Sequence, residues 1–279
     1  MIDSVPATLT GLWRREVITA PGLRDETTQV VWLQTGRWYV DLRIEADRPG
    51  PAASDGFAAY DDAALLALAR TQGFAGQFSV SRETCLWRRD LDHQPPGPLP
   101  DEARYSVDGE VMVEDGIHVD YQEIWRRAPD SNGPVAAFRR EATDGRSGLL
   151  VVAGRHMMEL VARPGPPPEG DSLSTLVGQA LVEGRRGQAE ALLDTQIRYA
   201  TRERGVWLVR LSSLPWLEGR AMWASDEVGY ADGRLNVPFR EGRAAWTLID
   251  SNLEPEALAM LITSADKLAL DATTPATSQ

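Results

Sequence analysis

Lysine is almost missing from this chain. Of its 29 basic residues one is a lysine, Lys267, and the rest are arginines scattered among 41 acidic residues, for a formal charge of −12. That balance argues against nucleic acid as the main partner, because phosphate binding needs concentrated cationic side chains. Cysteine is limited to Cys85, which excludes an internal disulfide and any thiol framework. The three histidines, His93, His118 and His156, are isolated, with no H-x-H or H-E-x-x-H, so no metal site is expected. No run approaches the roughly 18 apolar residues of a membrane span. The start, MIDSVPATLT, lacks the basic residue and apolar core of a signal peptide, so the expected place is the cytoplasm. G-x-S-x-G, Walker A and G-x-G-x-x-G motifs are also absent; GFAG at 73–76 reads as a helix stop and turn.

What the chain does have is short alternating runs. QVVWLQTGRWYVDLRIEA breaks at Thr35-Gly36 into two strands. In the second strand Trp38, Val40, Leu42 and Ile44 share one face, expected to be buried; Arg37, Tyr39, Asp41, Arg43 and Glu45 share the other, expected to be mostly wet. GQFSVSRETCLWRRDLD supplies two strands about a turn at Arg82-Glu83, and VDGEVMVEDGIHVDYQEIWRR another pair about Asp115-Gly116. Between them YDDAALLALARTQGF reads as a helix, capped by Asp61 or Asp62 and stopped at Gly73.

The text then repeats. WRRE at 13–16 is echoed by FRRE at 138–141. Gly36-Arg37 aligns with Gly154-Arg155, Asp41 with Glu159, and Arg48-Pro49 with Arg163-Pro164. A helical region follows in both halves, and QIRYATRERGVWLVRL matches QFSVSRETCLWRRDL in pattern. The order of features is kept at an offset of roughly 115–125 residues, so the expectation is an internal duplication, not a solenoid. The units are residues 1–130 and 131–279, the second ending in the helix EPEALAMLITSADKLAL and an extended tail, DATTPATSQ.

Antiparallel hairpins must hide their edges, most simply by closing each half into a barrel, with a sandwich as the alternative. Gly11-Leu12-Trp13 is a G-x-W at the start of the first strand, and IWRR places Arg126 and Arg127 at the end of the last one. This resembles the calycin superfamily of lipocalins, fatty-acid-binding proteins and nitrobindins. The resemblance implies a Trp closing one barrel end beneath an Arg of the last strand. In the second half Phe138 and Ala136 replace the Trp and Gly. GLWRRE, WLQTGRWYVDLRI, GFAG and GIHVDYQEIWRR in this order look like the Hri family, which implies two tandem lipocalin-like barrels and no assigned activity. The expected fold is therefore mainly β: two antiparallel calycin-like barrels, each with a helical insertion, plus a C-terminal helix.

Candidate site residues follow from polar side chains on faces expected to be buried. Ile117, Val119, Tyr121, Glu123 and Trp125 share a face; so do Cys85, Trp87, Arg89 and Leu91; so do Val30, Trp32 and Gln34; and Trp13, Arg15 and Val17 share another. A buried charge must be paired or be used. One reading is an internal Glu–Arg network. The other is a pocket for a small hydrophobic or anionic organic ligand, bound by Arg15, Trp32, Gln34, Trp38, Trp87, Arg89, Tyr121 and Glu123. Three functions stay open: a non-catalytic carrier without cofactor; a cofactor-free isomerase, cyclase or lyase using Glu123, Tyr121 and Arg89; and a scaffold for a protein partner or a second copy of the chain. Haem would need His118, which the strand pattern turns outward, or His156, which takes the place of Trp38 and is expected to face inward.

Overall fold

The first strand, β1 (Gly11–Ala20), opens with Gly11-Leu12-Trp13 and hydrogen-bonds on both edges in a computed structural model that describes residues 5–52, 54–223, 227–240 and 242–263. On one side lies β3 (Gln29–Gln34), on the other β9 (Gln122–Arg127). Between them run β4 (Trp38–Ile44), β5 (Gln72–Ser81), β6 (Thr84–Asp92), β7 (Asp101–Asp108) and β8 (Val111–Gly116), each antiparallel to its neighbour. The ring is thus an eight-stranded closed barrel, and the short β2 (Leu23–Asp25) hangs as a hairpin on β1. Closure leaves no unpaired edge.

The second half repeats this strand order without closing. It holds β10 (Val135–Arg140), β11 (Gly148–Ala153), β12 (His156–Val161), β13 (Gln196–Glu203), β14 (Val206–Ser212), β15 (Gly229–Ala231), β16 (Arg234–Phe239) and β17 (Gly242–Ser251). β10 pairs with β11 and β17, as β1 pairs with β3 and β9. Asp41 and Glu159 are each the fourth residue of their strand, β4 and β12. The sheet runs from β14 to β15, and among the described residues those two strands do not pair with each other. The expected second barrel is therefore a curled half-barrel. Its gap falls at the counterpart of the β6–β7 pairing, which spans only Thr84–Trp87 against Asp101–Arg104.

Several local expectations are corrected. The β7–β8 hairpin turns at Asp108-Gly109, where Gly109 has φ of 60°; Asp115-Gly116 is the last step of β8. Residues 117–121 form a loop folded back onto Gly116, where a Cβ would lie 2.2 Å from the Val119 carbonyl and 2.5 Å from the Tyr121 ring. Val119 is accordingly 56% exposed and no part of an inward face. Gly73 does not stop the helix. α1 (Asp62–Leu68), capped by Asp61 accepting from the Ala64 amide, ends earlier, and Gly73 lies in β5. There a Cβ would meet the Ile197 side chain at 2.4 Å and the Asp41 carbonyl at 2.9 Å, so the residue permits close sheet packing.

The largest correction concerns which face of β4 is inside. Trp38, Val40, Leu42 and Ile44 point away from the barrel and, with Leu12, Val31, Leu33 and Ala75, pack on Val151, Met158, Leu160, Ile197 and Tyr199 of the second half. Tyr39, Asp41 and Arg43 point into the barrel. Period two grouped the side chains correctly, but the face expected to be wet buries Tyr39 and Asp41 in the barrel, and the apolar one serves the joint between the halves. The helical insertions add a further shared core: α1 meets α2 (Leu173–Val182) and α3 (Arg186–Leu193) through Leu65, Leu68, Val177, Ala180 and Leu193. The last helix, α4 (Pro255–Ile262), begins with proline at its first turn and buries Leu258 and Ile262 in the half-barrel core. Ala265 of its expected stripe, and the DATTPATSQ tail, lie outside the described residues.

Candidate functional site

The closed end of the barrel is solid. Trp13 is fully buried; its indole N–H donates to the Leu9 carbonyl at 2.8 Å, and the Arg127 guanidinium lies 5.7 Å from its ring centroid. Trp13 and Arg127 are direct cross-strand partners, as the G-x-W resemblance implied, while Arg126 turns outward to Glu16. Above Trp13 sits Trp32, with ring centroids of Trp13, Phe78, Trp87 and Trp125 all 5.4–6.1 Å away. Gln34 belongs to this floor: it accepts from the Trp32 indole at 3.2 Å and donates to the Thr35 carbonyl. The void left beside Trp32, Asp41, Phe74 and Trp125 is about 10 Å³, room for one water at most.

The open end is polar and ionisable. Arg15 donates to Glu123 at 2.8 Å and to Asp25 at 3.0 Å. Arg43 donates to Asp41 at 2.9 Å and lies 3.6 Å from Glu123. Arg89 lies over Phe74, its Cζ 3.6 Å from the ring centroid, and pairs with Asp101 and Asp92. Glu114, directly across from Glu123 on β8, accepts from the Trp125 indole at 3.0 Å and meets the Tyr121 hydroxyl at 2.7 Å. Three guanidinium groups thus face six carboxyls. Burial and the adjacent Glu123 charge push Glu114 well above the usual carboxylate range. Burial, opposed by Arg43, lifts Asp41 from 3.8 to about 6. The Thr27 and Thr28 amides and hydroxyls outweigh burial at Asp25 and hold it low. Taking up protons at the most buried carboxyls relieves the excess negative charge.

A cavity of about 720 Å³ opens over this cluster, bordered by Arg43, Trp87, Arg89, Tyr121 and Glu123 and walled by the loop Pro96–Pro100. Of the expected ligand residues, Arg15, Trp87, Arg89, Tyr121 and Glu123 meet at this mouth. Trp32 and Gln34 lie in the floor beneath it. Trp38 does not join them: it is on the outside, with Arg139 5.1 Å from its ring centroid. Asp41, Arg43, Asp101 and Glu114 were not singled out. Their strand alternation was legible, but the polar face of β4 reads as solvated unless the barrel's interior is known to be partly polar.

The histidines sit elsewhere. His118 contacts Glu102. His156, expected to face inward, is instead on the outer face of β12 with Met158 and Leu160, bonded to Tyr199 through Nδ1 and Asp130 through Nε2. His93 is buried against Arg163 and, by burial first, its pKa falls to about 3. Among the described residues no group of three His, Cys, Asp or Glu is disposed to hold a metal, and no helix is long and apolar enough to cross a membrane.

Fold and site define a mainly β protein, a barrel joined to a half-barrel, with an ionisable barrel mouth. No protein-family model and no curated protein matches the sequence. Among solved structures the chain is similar to uncharacterized protein YLR301w from Saccharomyces cerevisiae, with 13% identity, a TM-score of 0.52, and coverage of 87% of this chain and 99% of that one. At that identity the likeness shows the fold alone.

Proposed function

We propose that this chain is a small-molecule-binding, carrier-like protein whose ligand sits at the mouth of the first barrel. The observation that carries the reading is the cavity of about 720 Å³ meeting Arg43, Trp87, Arg89, Tyr121 and Glu123 above an aromatic floor. A cavity of this size suits a small organic ligand with an apolar body and a few polar groups. The floor keeps it from threading deep into the barrel. The charge balance favours hydrogen-bond donors on the ligand, an amine or hydroxyl, over the organic anion that Arg89 alone suggested. An anion would have to displace Asp92 and Asp101 from that guanidinium. Native mass spectrometry of the purified protein, followed by thermal-shift screening of amines, phenols, organic acids, fatty acids and haem, tests this. A ligand of the folded state raises the melting temperature by mass action. The rise should shrink in Tyr121→Phe and Arg89→Ala. No response across the panel, or responses unchanged in both variants, would leave the scaffold reading in front.

One observation favours a second reading, cofactor-free acid/base catalysis. Glu114, its pKa raised by burial and by the Glu123 charge, accepts from the hydroxyl of Tyr121, which borders the cavity, and perturbed carboxyls of this kind gather at reacting sites. We further infer that the halves, residues 1–130 and 131–279, descend from one duplicated calycin-like unit of the Hri type. The shared strand order and the matched Asp41 and Glu159 support this. An alignment of homologues in which the halves do not match at one offset would count against it.

A further inference from the structure

We propose a second binding site, for a phosphate-type oxyanion, in the groove between the two halves. The groove, about 530 Å³, is lined by Arg14, Arg155, Arg202 and Arg210 together with Asp130, Tyr199, Thr201 and Glu203. It is separate from the barrel mouth: Arg14 alternates with Trp13 and Arg15 on β1 and so faces outward.

In a chain of net charge −12, most buried or half-buried arginines here are matched by a carboxylate. Among the described residues three arginines of this groove have no carboxylate within ion-pairing distance; Arg202 is half-buried, and Arg14 and Arg155 are exposed. Arg14 donates to the Tyr199 hydroxyl at 2.9 Å, Arg155 to the Arg202 carbonyl at 2.8 Å, and Arg202 to the Met260 carbonyl at 3.0 Å. The Arg202 Nε is buried without a partner. Neutral acceptors orient these guanidinium groups, and the four arginines of the lining outnumber its two carboxylates, Asp130 and Glu203. Arg210 is brought in by a bulge: Tyr199 pairs with Leu211 and Ala200 with Val209, so Arg210 is the extra residue on β14. It donates to the Thr201 hydroxyl at 2.8 Å and pairs with Glu203.

Beneath the groove runs a closed polar chain. His156 Nε2–H donates to Asp130, its Nδ1 accepts the Tyr199 O–H, and the Tyr199 oxygen accepts from Arg14, a self-consistent set of roles for a neutral imidazole. Asp130 keeps its negative charge at one end of the groove, held ionised by the His156 hydrogen bond and by nearby Arg155, and Tyr199 is fixed at the other. Several guanidinium forks over a rigid, mostly polar floor suit a tetrahedral oxyanion better than a lipid or an aromatic acid. Leu211 is the single large aliphatic side chain in the lining.

Isothermal titration of inorganic phosphate and of pyrophosphate into the full chain tests the site, with chloride at matched ionic strength as control. Binding is expected with pyrophosphate the tighter. Loss of one guanidinium in Arg155→Gln should weaken it at least about tenfold, as for a charge-assisted hydrogen bond, and Arg14→Gln likewise. Arg155→Lys should recover part of the loss, and Arg89→Ala at the barrel mouth should leave it unchanged. Far-ultraviolet circular dichroism and melting temperature of each variant separate lost binding from lost folding. No heat beyond the chloride control, or equal binding by wild type and Arg155→Gln, would overturn the proposal.

Discussion

Replacing Asp41 with asparagine isolates the charge of the barrel interior. Asp41 is 2% exposed and its carboxyl sits at about 6 in the fold, against an ordinary 3.8. A group whose folded pKa is raised contributes stability that is complete below the unfolded value, near pH 4, and is lost as pH climbs through about 6. The shift of roughly 2 units corresponds to about 3 kcal/mol, since each unit is worth ~1.4 kcal/mol. Asparagine copies the protonated acid in size and keeps an oxygen for the Arg43 N–H, and Arg43 retains Glu123 at 3.6 Å. The wild type should therefore lose about 3 kcal/mol relative to Asp41→Asn between pH 4 and 7, read as the difference between urea unfolding free energies of the two proteins at each pH. Taking the difference cancels other carboxyls, including Asp144, held at about 2 by Arg140. A flat difference across this range, with the variant several kcal/mol weaker throughout, would show Asp41 ionised and bound to Arg43 as a true ion pair, and would refute the reasoning.

Other perturbations have equally definite outcomes. Trp13→Ala should cost about 3–5 kcal/mol in urea unfolding, the range for a buried aromatic. Trp13→Phe should cost less, chiefly the roughly 1–3 kcal/mol of an unpaired Leu9 carbonyl; equal losses would mean that the indole N–H carries the whole effect and the retained ring none. Gly76→Ala places a Cβ 2.0 Å from the Arg88 carbonyl, a backbone atom that cannot step aside, and should destabilise by at least about 1–3 kcal/mol. A wild-type melting temperature in that variant would mean the β5–β6 pairing is looser than described.

The sequence by itself determined the strands, most of their turns, and many of the side chains that share a face, because a strand's period of two and the turn preferences of glycine are local properties; the period slips at the bulge after Arg89, which turns Leu91 to the joint between the halves. It also determined the Trp13 plug, since G-x-W and a terminal arginine sit at the two ends of one barrel seam. Hairpin turns were missed where two Asp-Gly pairs competed: Asp108-Gly109 and Asp115-Gly116 look alike locally, and only the loop folded over Gly116 separates them. Which face of β4 is inside was decided by tertiary structure. Burial satisfies Trp38, Val40 and Leu42 equally well in a lumen or in a joint between halves, and the joint took them because the barrel was already filled by Trp13, Trp32, Trp87 and Trp125. That choice sends Asp41 and Arg43 inward, where ion pairing with Glu123 and protonation make their burial tolerable. The mouth cluster exists only through that choice and the arginine groove only through the docking of the halves, because each gathers residues from strands far apart in the chain.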